Sequence, residues 1–437
     1  MSSSARRTDR RSIPSGPIGA LVVNVIFLVA WILERPASGF SRSYIGEIFG
    51  VQAIVFFSWS MVMVTIVPGL ESMYGGLNKQ VQWHRYAATA GIVCFIVHGI
   101  LIEESTTSSE LGKSLGSLAA IGLVLLIAWA FVTPASKAAS WKGLLGWLAR
   151  QPYDKWRFVH RFIGVFLIAA MVHGLMEGPS LSSSTTLQVM YLIVCAIGVA
   201  AYLYREFVML RIRPRNEYEV VNVRHPDERT LVVSLAPLGR AVTHAPGQFS
   251  YVHFGRDDWN PHPFTIASAP GADQLEFAIR VSGDETHRLY ANLAPGTPAI
   301  VSPAHGRFNY VKGGNRQVWI AAGIGITPFM SWLRSLDGEF TKEVDFNVSA
   351  KNAVENTFAQ ELRDLAAAHP TLTVHTHYAD DGEFLTPQRI GEQVGSDRRD
   401  VAVYMCGPPP MMTAFETGLR ALGFARRNIE WENFHGR

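Results

Sequence analysis

Four histidines lie in two apolar segments of the first half of the chain, and their spacing suits metal binding. His84 and His98 are 14 residues apart in one segment, and His160 and His173 are 13 residues apart in another. At ~1.5 Å of rise per residue, each pair spans ~20 Å along a helix. Ionisable side chains inside a bilayer are costly and by default mark a functional site. Two such helices side by side would therefore present one His–His pair near each membrane face.

Each His–His pair can hold one haem iron through neutral imidazole nitrogens, which fills both axial positions of the iron. Zinc is the rival metal, but a zinc site needs about four ligands around one point, which pairs ~20 Å apart do not supply. A single histidine of this kind would be interpreted as an interhelical hydrogen bond. Two pairs of nearly matched spacing instead predict two haems, the inner one held by His84 and His160 and the outer one by His98 and His173.

The one-residue difference between the two spacings has a geometric consequence. At ~100° per residue, 14 steps return almost to the same helix face, whereas 13 steps do not. The helix with His160 and His173 is therefore expected to be overwound or bent, or its two haems approach from different sides. Arg85 and Arg161 each follow a cytoplasmic-side histidine and are candidates to bind haem propionates or flavin phosphate. Arginines that snorkel to the membrane interface would look the same.

The elements that must position these histidines are membrane spans. Hydrophobic residues make up 48% of the chain and charged residues only 17%, against about 25% charged residues in soluble domains. Apolar stretches near the ~20 residues needed to cross a membrane occur at residues 17–33, 45–67, 83–102, 115–132, 158–176 and 187–204. The sequence thus predicts a membrane all-α six-helix haem bundle over residues 17–210, after a cytoplasmic tail of residues 1–16.

Basic residues predict the orientation of these spans. Lys and Arg concentrate in the N-terminal tail, in the second and fourth connections and after the last span, and such segments face the cytoplasm. We therefore expect a multi-pass protein of the cell membrane, surrounded by the lipid bilayer, with both termini in the cytoplasm. No small-residue cleavage site follows the first apolar segment, so we interpret it as a retained span and not as a signal peptide.

Composition argues against several other classes of protein. The net charge is only +3, and no basic stripe interleaved with aromatic residues occurs, so nucleic acid is not expected as a partner. The three cysteines, Cys94, Cys195 and Cys406, are too few and too scattered for a disulfide framework or a thiolate metal site.

Short β-rich runs replace the apolar segments in the second half. Four of these runs alternate with Pro/Gly turns: Glu219–Val223, Thr230–Leu235, Phe249–Phe254 and Leu275–Val281. They predict a small antiparallel β-barrel over residues 214–312. Over residues 313–437, strands alternate with helices, which predicts an α/β domain with a parallel sheet and crossover helices.

The turn AAGIGITPF joins a predicted strand of this α/β domain to a helix. Gly323 and Gly325 let the backbone approach a pyrophosphate closely. Thr327 is the expected helix N-cap, and Pro328 suits the first helical position. The helix N-terminus then offers free N–H groups to an anion. A structural turn would look similar, but the placement between a strand and a helix favours dinucleotide binding.

Three further segments carry candidate site residues. Cys406-Gly407-Pro408 ends an apolar strand, where an open α/β sheet has its ligand crevice. His262-Pro263-Phe264-Thr265 places an aromatic ring and a hydroxyl in an extended stretch, although alone it could be only a rigid hairpin arm. Phe434 lies near the chain end, where chains are usually disordered, and this suggests that its ring docks on a flat ligand.

These motifs, in this order, resemble those of the ferric reductase and NADPH oxidase superfamily, in which a six-span bis-haem domain is fused to a ferredoxin-reductase-like dehydrogenase. The resemblance extends from about residue 17 to Phe434. Besides the two histidine spacings, it rests on two flavin motifs, two nicotinamide-dinucleotide motifs and a terminal aromatic residue: His262-Pro263-Phe264-Thr265; Arg280, Gly283 and Thr286; Gly323, Gly325, Thr327 and Pro328; Cys406-Gly407-Pro408; and Phe434.

The resemblance implies a transmembrane oxidoreductase whose cofactors are FAD, two b-type haems and NADPH or NADH. Electrons from cytoplasmic NAD(P)H would pass through FAD and the two haems to an acceptor on the opposite face. The resemblance also implies that Phe434 stacks on the flavin and that Cys406 lines the nicotinamide pocket. Lys351 stands where the family often has an arginine for the 2′-phosphate, and its positive charge favours NADPH.

The acceptor stays open at this point. The chain could reduce O2 to superoxide, reduce ferric iron, or act as an electron relay to a periplasmic or extracellular partner protein without an acceptor site of its own. With both axial positions of each haem filled, O2 cannot bind the iron, so either small-molecule reaction would occur at the haem edge. Glu103 and Glu104 follow the outer histidine and could attract Fe3+, although a solvated loop is the simpler interpretation.

Overall fold

The computed structural model describes residues 14–37, 39–65, 67, 70–102, 109–132, 141, 143–151, 153–209, 216–255, 261–338 and 340–432. The chain forms two compact units, Met1–Arg213 and Pro214–Arg437. The first unit has a hydrophobic core among its helices, and the second has cores within and between its sheets and helices.

The described residues of the first unit are helical almost throughout. The helices are α1 (Ser15–Leu33), α2 (Arg42–Met63), α3 (Leu70–Tyr74), α4 (Leu77–Leu101), α5 (Glu110–Phe131), α6 (Gly143–Ala149), α7 (Tyr153–His160), α8 (Ile163–Glu177), α9 (Pro179–Ser183) and α10 (Thr185–Leu203), and α10 continues as a π-helical turn. Six stretches of the described chain are long and apolar enough to cross a membrane, with α7 and α8 together forming the fifth. The prediction of six apolar helices is therefore confirmed.

Serine side chains begin three of the spans. Ser41, Ser109 and Ser184 precede α2, α5 and α10, and each hydroxyl accepts a hydrogen bond from a backbone N–H in the first helical turn, at 3.1, 2.9 and 3.3 Å. Such caps satisfy N–H groups that have no partner within the helix. The apolar stretches therefore start as helices at defined residues.

Helix α2 is the centre of the bundle. It packs against α1, α4, α8 and α10, while α5 packs against α8. Of the apolar part of α2, 61% is buried, compared with 11% for the span that contains α4. Large side chains such as Trp31, Leu123, Leu167 and Tyr191 fill the core around it. Helix α4, with His84 and His98, thus packs mainly against α2, and α8, with His173, packs mainly against α5.

The second unit begins with an antiparallel sheet of six strands in the order β4-β3-β6-β1-β2-β5. The strands are β1 (Asn216–Asp227), β2 (Thr230–Pro237), β3 (Phe249–Phe254), β4 (His262–Thr265), β5 (Leu275–Arg280) and β6 (Pro298–Val301), with helix α11 (Asp284–Asn292) after β5. The antiparallel sheet was predicted correctly. Its edge strands approach at one bridge, between Ile266 and Phe277, so continuous barrel closure is not seen in the described strands.

A parallel sheet of five strands follows, in the order β11-β10-β7-β8-β9. Its strands and helices are β7 (Arg316–Ala322), α12 (Thr327–Leu333), β8 (Glu343–Ala350), α13 (Ala359–Ala368), β9 (Leu372–Tyr378), α14 (Pro387–Val394), β10 (Ala402–Cys406), α15 (Pro409–Ala421) and β11 (Ile429–Glu432). Trp319, Phe329, Trp332 and Phe346 are fully buried between this sheet and its helices. The predicted parallel α/β domain is confirmed.

Candidate functional site

The fifth span is interrupted directly after its first histidine. Helix α7 ends at His160 and α8 begins at Ile163. Across the interruption, the Phe162 N–H donates to the Val159 carbonyl at 3.1 Å, and the Val165 N–H donates to the Phe162 carbonyl at 3.0 Å. Bonds between residues three apart tighten the helix towards ~3.0 residues per turn. This winding brings a 13-residue separation closer to a whole number of turns, in line with the overwound alternative.

The two outer histidines face each other. The ring centroids of His98 and His173 are 6.4 Å apart, and the ring planes make an angle of 76°. The midpoint between the two centroids is therefore 3.2 Å from each of them. A metal bound to both rings would lie ~3.1 Å from each centroid, because a metal–imidazole bond is ~2.0 Å and the ring nitrogen lies ~1.1 Å from the ring centre. The spacing of the rings therefore fits one iron between them.

Backbone carbonyls select the nitrogen that each outer histidine offers. His98 Nδ1 lies 2.8 Å from the Gly46 carbonyl oxygen, and His173 Nδ1 lies 2.9 Å from that of Gly112. A carbonyl only accepts hydrogen bonds, so each Nδ1 carries the proton and each Nε2 keeps its lone pair. This is the arrangement in which histidines usually ligate metals.

The two inner histidines differ from each other in their hydrogen bonds and ring contacts. His84 Nδ1 lies 2.7 Å from the Ser60 hydroxyl and 3.0 Å from the Ser60 carbonyl oxygen. His160 stacks on Trp156 with the centroids 4.9 Å apart, and its buried Nδ1 has no hydrogen-bond partner among the described residues. The two inner rings therefore have different surroundings: His84 is hydrogen-bonded to Ser60, and His160 is stacked on a tryptophan.

The arrangement fits haem better than a metal ion held by protein side chains alone. Within the described residues, no group of three or more His, Cys, Asp or Glu side chains is placed to hold a metal ion. Axial ligation of haem needs only two imidazoles per iron, since the porphyrin supplies the other ligands. The outer pair, one histidine from the third span and one from the fifth, therefore has the ring spacing that axial ligation of one haem would need.

Of the two arginines predicted near the inner histidines, Arg161 already has an acidic partner. Its guanidinium contacts the Glu206 carboxylate at 2.6 Å through Nε and at 2.5 Å through Nη2. The Glu206 side chain is only 8% exposed and lies in the π-helical turn Tyr204–Val208. Arg85 is exposed on α4. Sequence reasoning missed Glu206, although an acid inside an apolar span was a usable signal.

The nucleotide turn departs in one detail from its prediction. Gly323 has φ +54°, which favours glycine, and it opens a 3-10 turn that runs directly into α12. Ile326, not Thr327, occupies the N-cap position, and Pro328 is the second helical residue. The Thr327 hydroxyl donates to the Ile324 carbonyl at 3.0 Å instead of capping the helix. The prediction that Thr327 caps the helix was wrong because Ile326, the residue before it, already has helical backbone dihedrals in the 3-10 turn.

The two predicted dinucleotide motifs meet at one edge of the parallel sheet. Strands β7 and β10 are neighbours, and the turn after β7 packs against the end of β10. A Cβ on Gly325 would overlap the Cys406 carbonyl, and a Cβ on Gly407 would lie 2.8 Å from that of Ala322. Pro408 is the N-cap residue of α15. Both glycines are therefore required by close backbone approach at the carboxyl edge of the sheet, the usual ligand edge of such folds.

Cys406 is fully buried at the end of β10. Burial, with a smaller contribution from the Glu432 charge, raises the pKa of its thiol well above the ordinary value. The thiol is therefore neutral at physiological pH, which argues against a thiolate nucleophile and leaves the predicted role of lining a pocket as a neutral group.

The first predicted flavin motif forms the edge strand β4. Residues His262 to Thr265 pair with β3, with Pro263 opposite Tyr251. Proline lacks an N–H donor and so belongs on an edge strand. The Phe264 ring lies 6.4 Å from that of Phe254, and Thr265 is buried.

The second predicted flavin segment contacts the nucleotide turn. Arg280 ends β5, and its Nη2 donates to Glu355 Oε2 at 2.5 Å, while Nη1 lies 3.7 Å from the position of a Cβ on Gly323. Gly283 is the N-cap residue of α11. The Thr286 hydroxyl accepts the Gly283 N–H at 3.0 Å. The antiparallel and parallel sheets thus bring candidate phosphate-binding groups together within the second unit.

Of the remaining candidates, only Lys351 lies within the described residues. Lys351 is exposed directly after β8, and its carbonyl accepts the Asp380 N–H at 2.9 Å. Phe434 lies outside the described residues, as do Glu103 and Glu104.

Comparison with known families agrees with this arrangement. Residues 215–408 match the family model of an FAD-binding domain. This part of the chain is therefore similar to FAD-binding domains. It includes the predicted flavin segments and the turns that end β7 and β10. Together with the six apolar helices, it fits the ferric-reductase-like fusion that the motifs predicted.

Individual relatives match just under half of the chain. Flavohemoprotein A of Dictyostelium discoideum is 30% identical over 211 residues, which are 44% of this chain and 53% of that protein. The reductase component of the naphthalene 1,2-dioxygenase system of Pseudomonas putida, named as a ferredoxin–NAD(P)+ reductase, is 28% identical over 228 residues, 49% of this chain and 68% of that protein. The chain spans about half the length of the flavohemoprotein.

Among solved structures, the FAD/NAD-binding domain of nitric oxide dioxygenase from Vibrio cholerae is 23% identical, with a TM-score of 0.45 over 50% of this chain and 98% of that one. Residues 215–408 are thus similar to an FAD-binding domain, and the chain is similar in part to a flavohemoprotein and to a ferredoxin–NAD(P)+ reductase component.

Proposed function

We propose that this chain is a transmembrane oxidoreductase that moves electrons from cytoplasmic NAD(P)H, by way of FAD and two b-type haems, to O2 or ferric iron on the opposite membrane face. The observation that carries the proposal is the His98–His173 pair, whose rings are 6.4 Å apart in a chain that also contains an FAD-binding domain. When bound, FAD accepts a hydride and releases single electrons, and each haem carries one electron.

The residues of the second unit would bind and orient the two dinucleotides. Gly323 and Gly325 keep the turn after β7 free of side chains, so that backbone N–H groups can approach a pyrophosphate. Arg280 supplies a positive charge beside that turn. The strand at His262–Thr265 and the segment at Gly283–Thr286 would hold the flavin, with Phe434 stacked on its ring and Cys406 lining the nicotinamide pocket.

Lys351 favours NADPH over NADH in this proposal. Its exposed ammonium group follows β8, where it would pair with the 2′-phosphate as a point charge. We expect Lys351→Met to raise the KM for NADPH by about tenfold, the cost of about 1.4 kcal/mol, and to leave the KM for NADH unchanged. Lys312→Met is the matched control, and an equal change for both coenzymes would contradict this role.

The residues of the first unit would bind the haems and exclude water around them. The four histidines would ligate the two irons, and the hydrogen bonds to Nδ1 of His84, His98 and His173 support ligation through Nε2 by these three. Arg85 would contact a haem propionate at the cytoplasmic side. Arg161 would do so only in exchange for its contact with Glu206.

The deciding experiment is an absorption and cofactor analysis of the detergent-purified chain. We expect two haems and one flavin per chain, with a bis-imidazole b-type spectrum that shifts on reduction. His98→Leu should retain one haem and still allow NADPH to reduce the flavin, while electron transfer to the far side stops. His225→Leu, an exposed histidine on β1, is the control. A chain without haem would contradict the proposal.

Reconstitution into vesicles tests the acceptor. NADPH is supplied on one side, and superoxide formation or reduction of a membrane-impermeant ferric chelate is measured on the other. Activity with O2 or with the chelate supports that acceptor. Haem reduction without transfer to either would favour an electron relay to a periplasmic or extracellular partner protein.

A further inference from the structure

The His98 ring packs against helix α2 at Gly46 and Gly50, where the helix surface carries no side chains. Its Nδ1 is 2.8 Å from the carbonyl oxygen of Gly46. One turn further along α2, a Cβ on Gly50 would lie 2.8 Å from the same Nδ1 and 3.1 Å from Cε1. Contacts this close do not occur for real Cβ atoms, so the imidazole can occupy this place only while Gly50 has no side chain.

Helix α5 repeats this arrangement for the other outer histidine. His173 Nδ1 is 2.9 Å from the Gly112 carbonyl oxygen. A Cβ on Gly116 would lie 2.7 Å from Nδ1 and 2.8 Å from Cε1. In both helices the glycine against the ring follows the carbonyl-bearing glycine by four residues, so it lies on the same helix face. The same arrangement of histidine, backbone carbonyl and glycine therefore occurs twice, once between α4 and α2 and once between α8 and α5.

The two contacts together restrict the plane of each ring. The hydrogen bond fixes the direction in which Nδ1 points. The Nδ1–Cε1 edge of each ring lies where a Cβ on Gly50 or Gly116 would be, so a side chain there would have to turn or displace the ring. The inner histidines differ, since His84 bonds to Ser60 and His160 Nδ1 is unbonded within the described chain.

We propose that Gly50 and Gly116 are positioning residues that set the ring planes of the outer histidines and keep their hydrogen bonds to the backbone. The inference rests on the proposed haem ligation. Rings held 76° apart would give a bound ferric haem a strongly anisotropic electron paramagnetic resonance spectrum. The bonds from Nδ1 would make each imidazole a better electron donor to the iron, which would lower the reduction potential of the outer haem.

The test uses the full chain in detergent, with Gly50→Ala and Gly116→Ala as separate variants. Each should change the anisotropy of the outer haem signal and raise its midpoint potential, because the added methyl group displaces the ring and lengthens its hydrogen bond. The inner haem signal should not change, and it serves as the control within the same molecule. Gly19→Ala on α1, where an added Cβ meets nothing within 4 Å, should leave both signals unchanged.

The possible outcomes separate this inference from the proposed function. Two haems whose spectra and potentials are the same in both variants as in the parent chain would overturn the inference and leave the proposed function standing. Loss of both haems in both variants would also overturn it, since the glycines would then serve the packing of the whole bundle. A parent chain without haem would instead contradict the proposed function. If one variant does not accumulate, the other tests the same role from the opposite side of the haem.

Discussion

The thiol of Cys406 shows how burial limits the chemistry of one residue. The side chain ends an interior strand and has no exposed surface. Burial first, and the charge of Glu432 second, raise the pKa of the thiol well above its ordinary value. Because the thiolate is the reactive form, a neutral thiol at this position can contact a ring but cannot act as a nucleophile at physiological pH.

Cys406 should therefore resist alkylation in the folded protein. A raised pKa lowers the fraction of thiolate at every pH below that pKa, so treatment with N-ethylmaleimide at pH 8 should leave the native thiol unmodified. After denaturation, the same residue should react fully. Mass spectrometry of the peptide that contains Cys406 measures both states, and rapid labelling of the native chain would contradict the burial.

Gly325 tests the close approach between the two nucleotide turns. In Gly325→Ala, the new methyl group overlaps the carbonyl of Cys406, so we expect a destabilisation of about 1–3 kcal/mol. The displaced turn should also slow the reduction of FAD by NADPH by up to roughly 100-fold, as displacements near 1 Å can do. Rapid-mixing measurements of flavin reduction follow the rate.

Gly338→Ala is the matched control for this variant. Gly338 lies after α12, where an added Cβ has no neighbour within 4 Å. Its rate of flavin reduction should equal that of the parent chain. Equal rates in Gly325→Ala and Gly338→Ala would mean that the close approach has no role in the reaction.

At the level of the elements, Arg334 joins the two sheets of the FAD-binding half. It follows α12 and contacts both oxygens of Glu361 on α13, at 2.6 and 2.8 Å. Its Nη1 also donates to Glu276 on β5 at 2.8 Å and to the Ala267 carbonyl at 2.9 Å. Burial alone would lower the pKa of Arg334, but the bonds and charges of the two glutamates outweigh burial and raise it.

Replacing Arg334 by leucine should lower the free energy of unfolding of the FAD-binding half by roughly 3 kcal/mol, because two partly buried carboxylates lose their partner. Denaturant-induced release of FAD, followed by its fluorescence, measures the change. Arg363→Leu is the control, since this exposed arginine donates to Gln360 on the same helix. The proposed network would be contradicted if both variants lost equal stability.

The interruption of the fifth span between α7 and α8 is a second feature at the scale of whole elements. The break between α7 and α8 separates His160, at the end of α7, from His173 on α8, whose ring lies 6.4 Å from that of His98. The break removes regular helical hydrogen bonds. Two hydrogen bonds between residues three apart replace some of them. The position of the break, next to His160 and the Arg161–Glu206 contact, fits the tendency of helix irregularities to occur at functional sites.

For the whole molecule, the two units should unfold separately. Each has its own hydrophobic core, and domains with separate cores commonly unfold in separate transitions. On heating, loss of the haem absorption and release of the flavin should occur at different temperatures. Arg334→Leu should lower only the flavin transition. Coincident transitions in the parent chain and in this variant would contradict independent unfolding.

The sequence by itself determined the elements of this protein. A run of about 20 apolar residues specifies a membrane-crossing helix wherever it occurs, and alternation of strand and helix patterns specifies a parallel sheet. The histidine spacings pointed to paired sites, because spacing along a helix converts directly into distance and direction. These are local properties, and each can be determined from one segment without its neighbours.

Only the tertiary structure decided which groups touch. The glycines against His98 and His173, the Glu206 carboxylate on Arg161 and the overlap that makes Gly325 obligatory all join segments that are distant in the chain. Such contacts depend on the register and packing of whole elements. Even the start of α12 was mispredicted, because a 3-10 turn shifted the cap by one residue. Packing is set by all neighbours at once, and for this reason no single segment encodes it.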